Sequence, residues 1–401
     1  MPVVLAFSGG LDTSFCVPFL TETLNDNVVT VTVDTGGLSK DDAVKLEEKA
    51  LALGASHHYT IDGRQHLYDH VLSYLIKGNV LKGDVYPLCV GPERVTQAIK
   101  IAEIADLLGA TALAHGSTGA GNDQIRFDVA LQLLAPGKGI LAPIRDHGLS
   151  RSDTTAYLKE RGFAVPAKTT VYSINKGLWG TTVGGRETHS PEQALPEDAF
   201  TMTKSIADAP DQGVQVEIGF ENGLPCSVDG AAAAGIEIIE LLNTVGGLHG
   251  VGRGVHVGDT ILGIKGRVGF EAPAALTLIA AHRELEKIVL TKWQQHLKKH
   301  AAELYGMLLH EGQFFDLVMR DIEALFDASQ HRVTGSVTVR FLKGNLQILG
   351  CTSHYSMFNQ SVATYGEQNL MWTADDARGF AKIAKTQAAL ALKASNQTAA
   401  H

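Results

Sequence analysis

The first 144 residues repeat one rhythm, an apolar run followed by a longer stretch with helical spacing. The runs are VVLAF (3–7), VVTVTVD (28–34), HHYTID (57–62), TALAHG (111–116) and GILAPI (139–144). Between them lie SFCVPFLTETL, KDDAVKLEEKALALG, HLYDHVLSYLI, ERVTQAIKIAEIADLLG and NDQIRFDVALQLL. Valine- and isoleucine-rich strands alternating with helices predict a parallel sheet covered on both faces, an α/β fold. Ligands of such sheets sit beyond the carboxyl ends of the strands.

At the end of the first run the chain reads Ser8-Gly9-Gly10-Leu11-Asp12-Thr13-Ser14. The glycines permit a sharp turn. Ser8 is expected to cap the helix that follows, whose free N–H groups and dipole then make an anion site. Ser8, Thr13 and Ser14 add hydroxyl donors. Asp12 would repel a phosphate unless a divalent cation lay between them, so the pattern reads as a pyrophosphate grip with magnesium. It is neither a Walker A loop nor G-x-G-x-x-G. For Ser-Gly-Gly alone, an ordinary capped turn explains the residues equally well. The longer Ser-Gly-Gly-x-Asp-Thr-Ser, directly after a first strand, resembles the PP-loop of the N-type ATP pyrophosphatases.

The rhythm fades near FAVPAKTTVYSINKGLWG (163–180). Beyond it short strands are expected at GVQVEIGF, GDTILGIKG and GSVTVRFLKGNLQILGC, with long helices through AALTLIAAHRELEKIVLTKWQQHLKKHAAELYGMLL. This predicts a second, α+β domain. The expected division is 1–165, 166–365 and a C-terminal helix in 366–401, opened by a Thr/Asp cap in TADDARGF. The apolar residues of that helix need a cover, either a partner subunit or the chain's own core.

Composition removes several classes. No apolar stretch is long enough to span a bilayer, and the first residues lack the basic n-region and cleavage site expected of a signal peptide. The 34 basic against 43 acidic side chains give a net charge of −9, without the basic surplus of a nucleic-acid binder. Cys16, Cys89, Cys226 and Cys351 are scattered, which fits reduced cytoplasmic thiols better than disulfides or a structural zinc site. The 16 histidines show no metal-ligand spacing and read as surface or packing residues. Trp179 and Trp293 read as packing residues too. HGVGRGVHVG (249–258) follows a helix rather than a strand, which removes it as a dinucleotide loop.

A second constellation, AHGSTGAGNDQIRFD (114–128), surrounds Ser117 and Thr118 with Gly116, Gly119 and Gly121, then opens a helix with Asn122, Asp123, Gln124 and Arg126. Donors, an acid and an arginine suit a zwitterion; a capped surface loop with a solvated Asp–Arg pair is the plainer alternative. With YSINKGLWG (172–180), LHGVGRG (248–254), FEAP (270–273), LIAAHRELE (278–286) and VTGSVTVRFLKGN (333–345), the chain resembles the argininosuccinate synthase family over nearly its whole length.

The resemblance implies a Rossmann-like, adenine nucleotide alpha hydrolase-like nucleotide-binding domain joined to a synthetase domain. It also implies a ligase that joins citrulline and aspartate, converting ATP to AMP and diphosphate through a citrullyl-adenylate. ATP would lie on Ala6, Phe7, Ser8, Gly9, Gly10, Leu11, Asp12, Thr13, Ser14, Val33 and Gly116, with Mg2+ beside Asp12. Aspartate would be held by Thr118, Asn122 and Asp123, the last pairing with its amino group. Citrulline would meet Tyr86, Asn122, Arg126, Ser173 and Thr182, with Arg126 gripping its carboxylate by a bidentate fork. Asp12 and Asp123 are the implied catalytic residues. The family implies a cytoplasmic homotetramer of arginine biosynthesis.

The sequence departs from the family pattern on the citrulline side. Gly91 stands where the family has a hydroxyl residue, Gly258 where it has a glutamate, and Phe270 where it has a tyrosine. Asp259, next to Gly258, is expected to substitute as a citrulline contact, with Phe270 completing that pocket. Either the same enzyme has drifted, or the ureido substrate differs. RNA-modifying and ammonia-using relatives lack support in this acidic chain, which carries no glutaminase domain. A non-catalytic relative fits poorly with intact Asp12, Asp123 and Arg126.

Overall fold

The computed structural model describes residues 2–165 and 172–398. The chain divides into two compact units, residues 1–355 and 356–401.

In the larger unit the predicted rhythm folds as β1 (Val3–Ala6), α1 (Leu11–Leu24), β2 (Val28–Asp34), α2 (Lys40–Ala52) and β3 (His57–Asp62). Short helices α3 (Arg64–Leu67) and α4 (Ser73–Gly78) flank a π turn, and α5 (Gly91–Leu107), β4 (Ala112–Ala114), α6 (Asp123–Leu134) and β5 (Gly139–Leu141) follow. The helices α7 (Pro143–Asp146) and α8 (Arg151–Glu160) close this part. The five strands pair in parallel in the order β3-β2-β1-β4-β5. Side chains alternate across a strand. Val3, Leu5 and Phe7 therefore enter one core with Phe15, Val17 and Leu20 of α1. Val4 enters the other, with Val29, Val31 and Val33 of β2 and Ala98, Ile101 and Ala105 of α5.

After the undescribed residues 166–171 come two antiparallel sheets. One contains β6 (Ser173–Lys176) and β7 (Thr181–Gly184); the other begins with β8 (Val214–Glu221), β9 (Leu224–Val228) and β10 (Ala231–Ala232). The chain then runs through α9 (Gly235–Leu248), β11 (Arg253–Asp259), β12 (Lys265–Glu271), α10 (Pro273–Val289), α11 (Lys292–His310) and α12 (Leu317–Gln330). The strands β13 (Gly335–Leu342) and β14 (Asn345–Thr352) complete the orders β10-β9-β8-β13-β14 and β11-β12-β7-β6. Val216, Ile218 and Phe220 of β8 join Val337, Val339 and Phe341 of β13 in a third core with Ile238, Leu242, Leu278 and Leu285 from α9 and α10.

The expected long helices are α10 and α11, divided at Thr291, whose side chain accepts from Gln294 N. Three details differ from the sequence reading. Helix α1 is not capped by Ser8: its N-cap is Gly10 and no side chain caps it. Residues 258–266 are not one strand, because Thr260–Ile264 turn between β11 and β12. Trp179 is fully buried and donates Nε1–H to the Pro87 carbonyl at 2.8 Å, but Trp293 lies 70% exposed and packs into no core.

The smaller unit holds a two-stranded ribbon, β15 (Ala363–Thr364) with β16 (Gln368–Asn369), and the helices α13 (Ala374–Ala384) and α14 (Thr386–Thr398). Thr373 and Asp376 form the expected capping box. Phe380, Ile383, Leu390 and Leu392 are all exposed, so this unit does not cover its own apolar face.

Candidate active site

A cleft of about 760 Å³ opens at the carboxyl ends of β1, β2 and β4. Its floor comes from the turn after β1. Gly9 takes φ +70°, and a Cβ there would lie 2.3 Å from Leu46 Cδ2, so only glycine lets this turn close against α2. Ala6, Phe7, Ser8, Asp12 and Thr13 line the cleft; Gly9, Gly10, Leu11 and Ser14 shape the loop behind them. Ser8 Oγ and Thr13 Oγ1 stand 3.2 Å apart and Thr13 Oγ1 donates to the Gly10 carbonyl at 3.3 Å. Lys49 Nζ donates to the Gly9 carbonyl at 2.5 Å, a cation at the loop that the sequence did not single out. Burial raises the Asp12 carboxyl, opposed by the Arg151 charge. Val33 and Gly116 line the same end.

The loop after β4 forms the middle. Ser117 N donates to His115 Nδ1 at 3.3 Å, so the proton sits on Nε2 and faces Asp128 Oδ1 at 2.9 Å. Asp128 is in turn bonded to Arg145. This buried imidazole fixes the loop that presents Thr118, Asn122 and Asp123, all three in the cleft wall. Asn122 Oδ1 accepts from Ile261 N at 2.9 Å, tying the start of α6 to the turn between β11 and β12. Arg94 Nε donates to Asp123 Oδ2 and Arg126 Nη1 to Asp123 Oδ1, each at 2.9 Å. Burial pulls the Asp123 carboxyl upward, but the two guanidiniums outweigh it and hold it down to about 2. It is an anion at any working pH.

The far wall joins α5 and the antiparallel strands. Leu178 N donates to the Thr35 carbonyl at 2.9 Å, seating the β6–β7 turn on the end of β2. Tyr86, Ser173, Asn175 and Thr182 face the cleft. Arg94 Nη2 donates to Asn175 Oδ1 at 3.1 Å. Glu93 also lines the wall; it is 3% exposed, its Oε1 has no partner, and burial pushes its carboxyl up to about 8.

Sequence and structure part company at the acceptor-side residues. Arg126 lines the cleft, yet its Nε and Nη2 both donate to the His310 carbonyl, at 2.9 and 2.8 Å. That edge is not open for a bidentate fork. Phe270 is fully buried against Tyr86 and Gly254 and does not line the cleft. Asp259 lies at the rim, where its carboxylate pairs with Lys265 Nζ at 2.5 Å. The histidines were undervalued: His115, His256 and His310 all line this cleft. Spacing could not reveal them, since each comes from a different part of the chain. Among the described residues, no group of three or more acids, histidines or cysteines is arranged to hold a metal ion, and no helix is long and apolar enough to cross a membrane.

Comparison with known proteins agrees over both halves of the chain. The family model described as the arginosuccinate synthase N-terminal HUP domain matches residues 2–164, and that of the C-terminal domain matches residues 172–391. The chain is 39% identical over 391 residues to the argininosuccinate synthase of Pyrococcus furiosus, covering 98% of this chain and 94% of that one. It is 38% identical over 367 residues to that of Methanocaldococcus jannaschii, covering 92% of each. It is also 38% identical over 369 residues to that of Synechocystis, again covering 92% of each.

Proposed function

The chain belongs to the argininosuccinate synthase family, and from that premise we propose how its cleft carries out the family's reaction. The enzyme is a ligase that converts ATP, citrulline and aspartate to AMP, diphosphate and argininosuccinate, the reaction its relatives' name denotes. One observation carries the assignment of residues: a single cleft gathers the β1 turn, the β4 loop and the β6–β7 wall.

ATP is assigned to the sheet end, with Val33 beside the base, Gly116 at the nucleotide, and Ala6 to Ser14 around the phosphates. The hydroxyls of Ser8 and Thr13 and the N-terminus of α1 receive the β- and γ-phosphates. Asp12, a carboxylate among phosphate-facing donors, fits a nucleotide-borne Mg2+ held by one side chain and the phosphates. That ion would neutralise charge on the leaving diphosphate. The ureido oxygen of citrulline attacks the α-phosphorus; the new O–P bond forms as the bond to diphosphate breaks. The aspartate nitrogen then attacks the activated carbon, losing a proton, and AMP leaves with the C–O electron pair. Asp123 is assigned to the aspartate ammonium, with Thr118 and Asn122 on its carboxylates. Tyr86, Asn122, Arg126, Ser173 and Thr182 are assigned to citrulline. Such a site works by placement and fixed charge rather than by a protein nucleophile.

We assign residues 1–165 to nucleotide binding, 166–365 to the synthetase part and 366–401 to assembly of a cytoplasmic homotetramer. The exposed Phe380 and Ile383 on the capped α13, and Leu390 and Leu392 on α14, support the last. Diphosphate release from ATP and aspartate with Mg2+, measured with and without citrulline, tests the reaction. Release that requires citrulline, with argininosuccinate confirmed by mass, is expected; no release with citrulline overturns it. Light scattering in solution tests the tetramer, and a monomer overturns it.

A further inference from the structure

The acceptor end of the cleft offers a second cation no uncommitted carboxylate. His256 stacks on Tyr86 with ring centroids 5.5 Å apart and an interplanar angle of 18°. A Cβ built on Gly258 would lie 2.6 Å from His256 Nε2, so this ring position and a side chain at 258 exclude each other. That nitrogen is buried and has no hydrogen-bond partner. His310 Nδ1 faces Arg126 Nη2 at 3.3 Å. An arginine only donates, so Nδ1 accepts and Nε2 carries the hydrogen. Burial and the nearby Lys82 charge lower His256; burial, Arg126 and Lys82 bring His310 down to about 3. Both rings are neutral at working pH.

The carboxylates are already committed. Asp259 has a side chain 64% exposed and is paired with Lys265, while Asp123, bonded to Arg94 and Arg126, is the group assigned above to the ammonium of the other substrate, aspartate. Glu93 keeps its proton below about pH 8. An ammonium entering here would lose water and meet Arg126 and two uncharged imidazoles, an unfavourable exchange for a buried cation. A carboxylate meets the opposite. Arg126 Nη1 gives one hydrogen to Asp123 and keeps a second.

We propose that this subsite selects its ureido substrate through the carboxylate and does not recognise an α-amino group, so that ureido acids lacking that group are also substrates. The inference rests on the cleft being a ureido-activating site, as assigned above.

The test uses the full-length enzyme with ATP, Mg2+ and aspartate, and three acceptors. These are citrulline, δ-ureidovalerate (citrulline without its α-amino group) and N-carbamoylputrescine (without the carboxylate). The expected kcat/KM for δ-ureidovalerate is within about threefold of citrulline or above it, and that for N-carbamoylputrescine is lower by about 30-fold or more. A preference for citrulline over δ-ureidovalerate of about 30-fold or more overturns the proposal and leaves the reaction standing. Diphosphate release with none of the three overturns both. The double variant His256→Ala/Gly258→Glu removes the ring and restores a carboxylate. It is expected to move the ratio toward citrulline by about tenfold. An unchanged ratio in a variant that still binds ATP also overturns the proposal.

Discussion

Arg94 and Asp123 are joined by a 2.9 Å bond from Nε to Oδ2, and Arg126 takes the other carboxylate oxygen at the same distance. One anion thus separates two guanidiniums that would otherwise face each other. Replacing Asp123 with Asn keeps the shape but removes the charge. The variant is expected to lose about 1–3 kcal/mol of stability and to raise the KM for aspartate about tenfold or more. The KM for ATP should move far less. Steady-state kinetics and thermal melts of the same preparation check both; an unchanged KM for aspartate refutes the assignment of its ammonium to Asp123.

Lys49 acts on the phosphate loop from outside it, through the 2.5 Å bond to the Gly9 carbonyl. Lys49→Met removes that donor and one positive charge from the nucleotide end. Nucleotide titration should show ATP binding weakened about three- to tenfold, with little change in melting temperature. Gly9→Ala is the harsher change, because φ +70° and the Leu46 contact both oppose a Cβ. It should cost about 1–3 kcal/mol in denaturant unfolding and abolish tight ATP binding.

The sequence made the parallel sheet readable because alternation is a local property: Val3, Leu5 and Phe7 declare one face and Val4 the other within five residues. The β1 turn was readable for the same reason, its residues being consecutive. Helix capping by Ser8 failed because a second glycine extends the turn, so Gly10 becomes the boundary residue and Ser8 accepts from Gly10 N at 3.4 Å instead. His256 and His310 were invisible because their role comes from non-local closure. One lies on β11, the other ends α11, and both meet the cleft wall only when α6 arrives with Arg126. Phe270 shows the reverse error: its place in a motif suggested a ligand contact, yet its fully buried ring packs on Tyr86 and over Gly254.

Asn122 connects the two halves of the cleft through its bond to Ile261 N at 2.9 Å. Asn122→Ala should leave that amide unpaired and loosen the β11–β12 turn, at a cost of about 1 kcal/mol. Hydrogen exchange at Ile261 is expected to quicken, and kcat/KM for both amino-acid substrates to fall together. Protection at Ile261 equal to that of the parent protein would show that the bond does not hold the turn.

Glu93 gives the pH prediction. Burial raises its carboxyl from 4.5 to about 8, with Arg94 opposing and Asp123 and Asp34 reinforcing. A raised carboxyl means the folded protein holds a proton that the unfolded chain gives up. Stability is therefore complete below about pH 4.5 and is lost progressively as pH rises toward 8. Glu93→Gln is neutral throughout and preserves the shape, while a Cβ on the facing Gly177 would lie only 1.4 Å from Glu93 Oε1, so no bulkier contact is needed to fill the site. Below pH 5 the variant and the parent should melt within about 1 °C of each other; above pH 8 the variant should melt about 2 °C higher or more. A difference that does not grow with pH would show that Glu93 is ionised in the fold, held as an anion by Arg94.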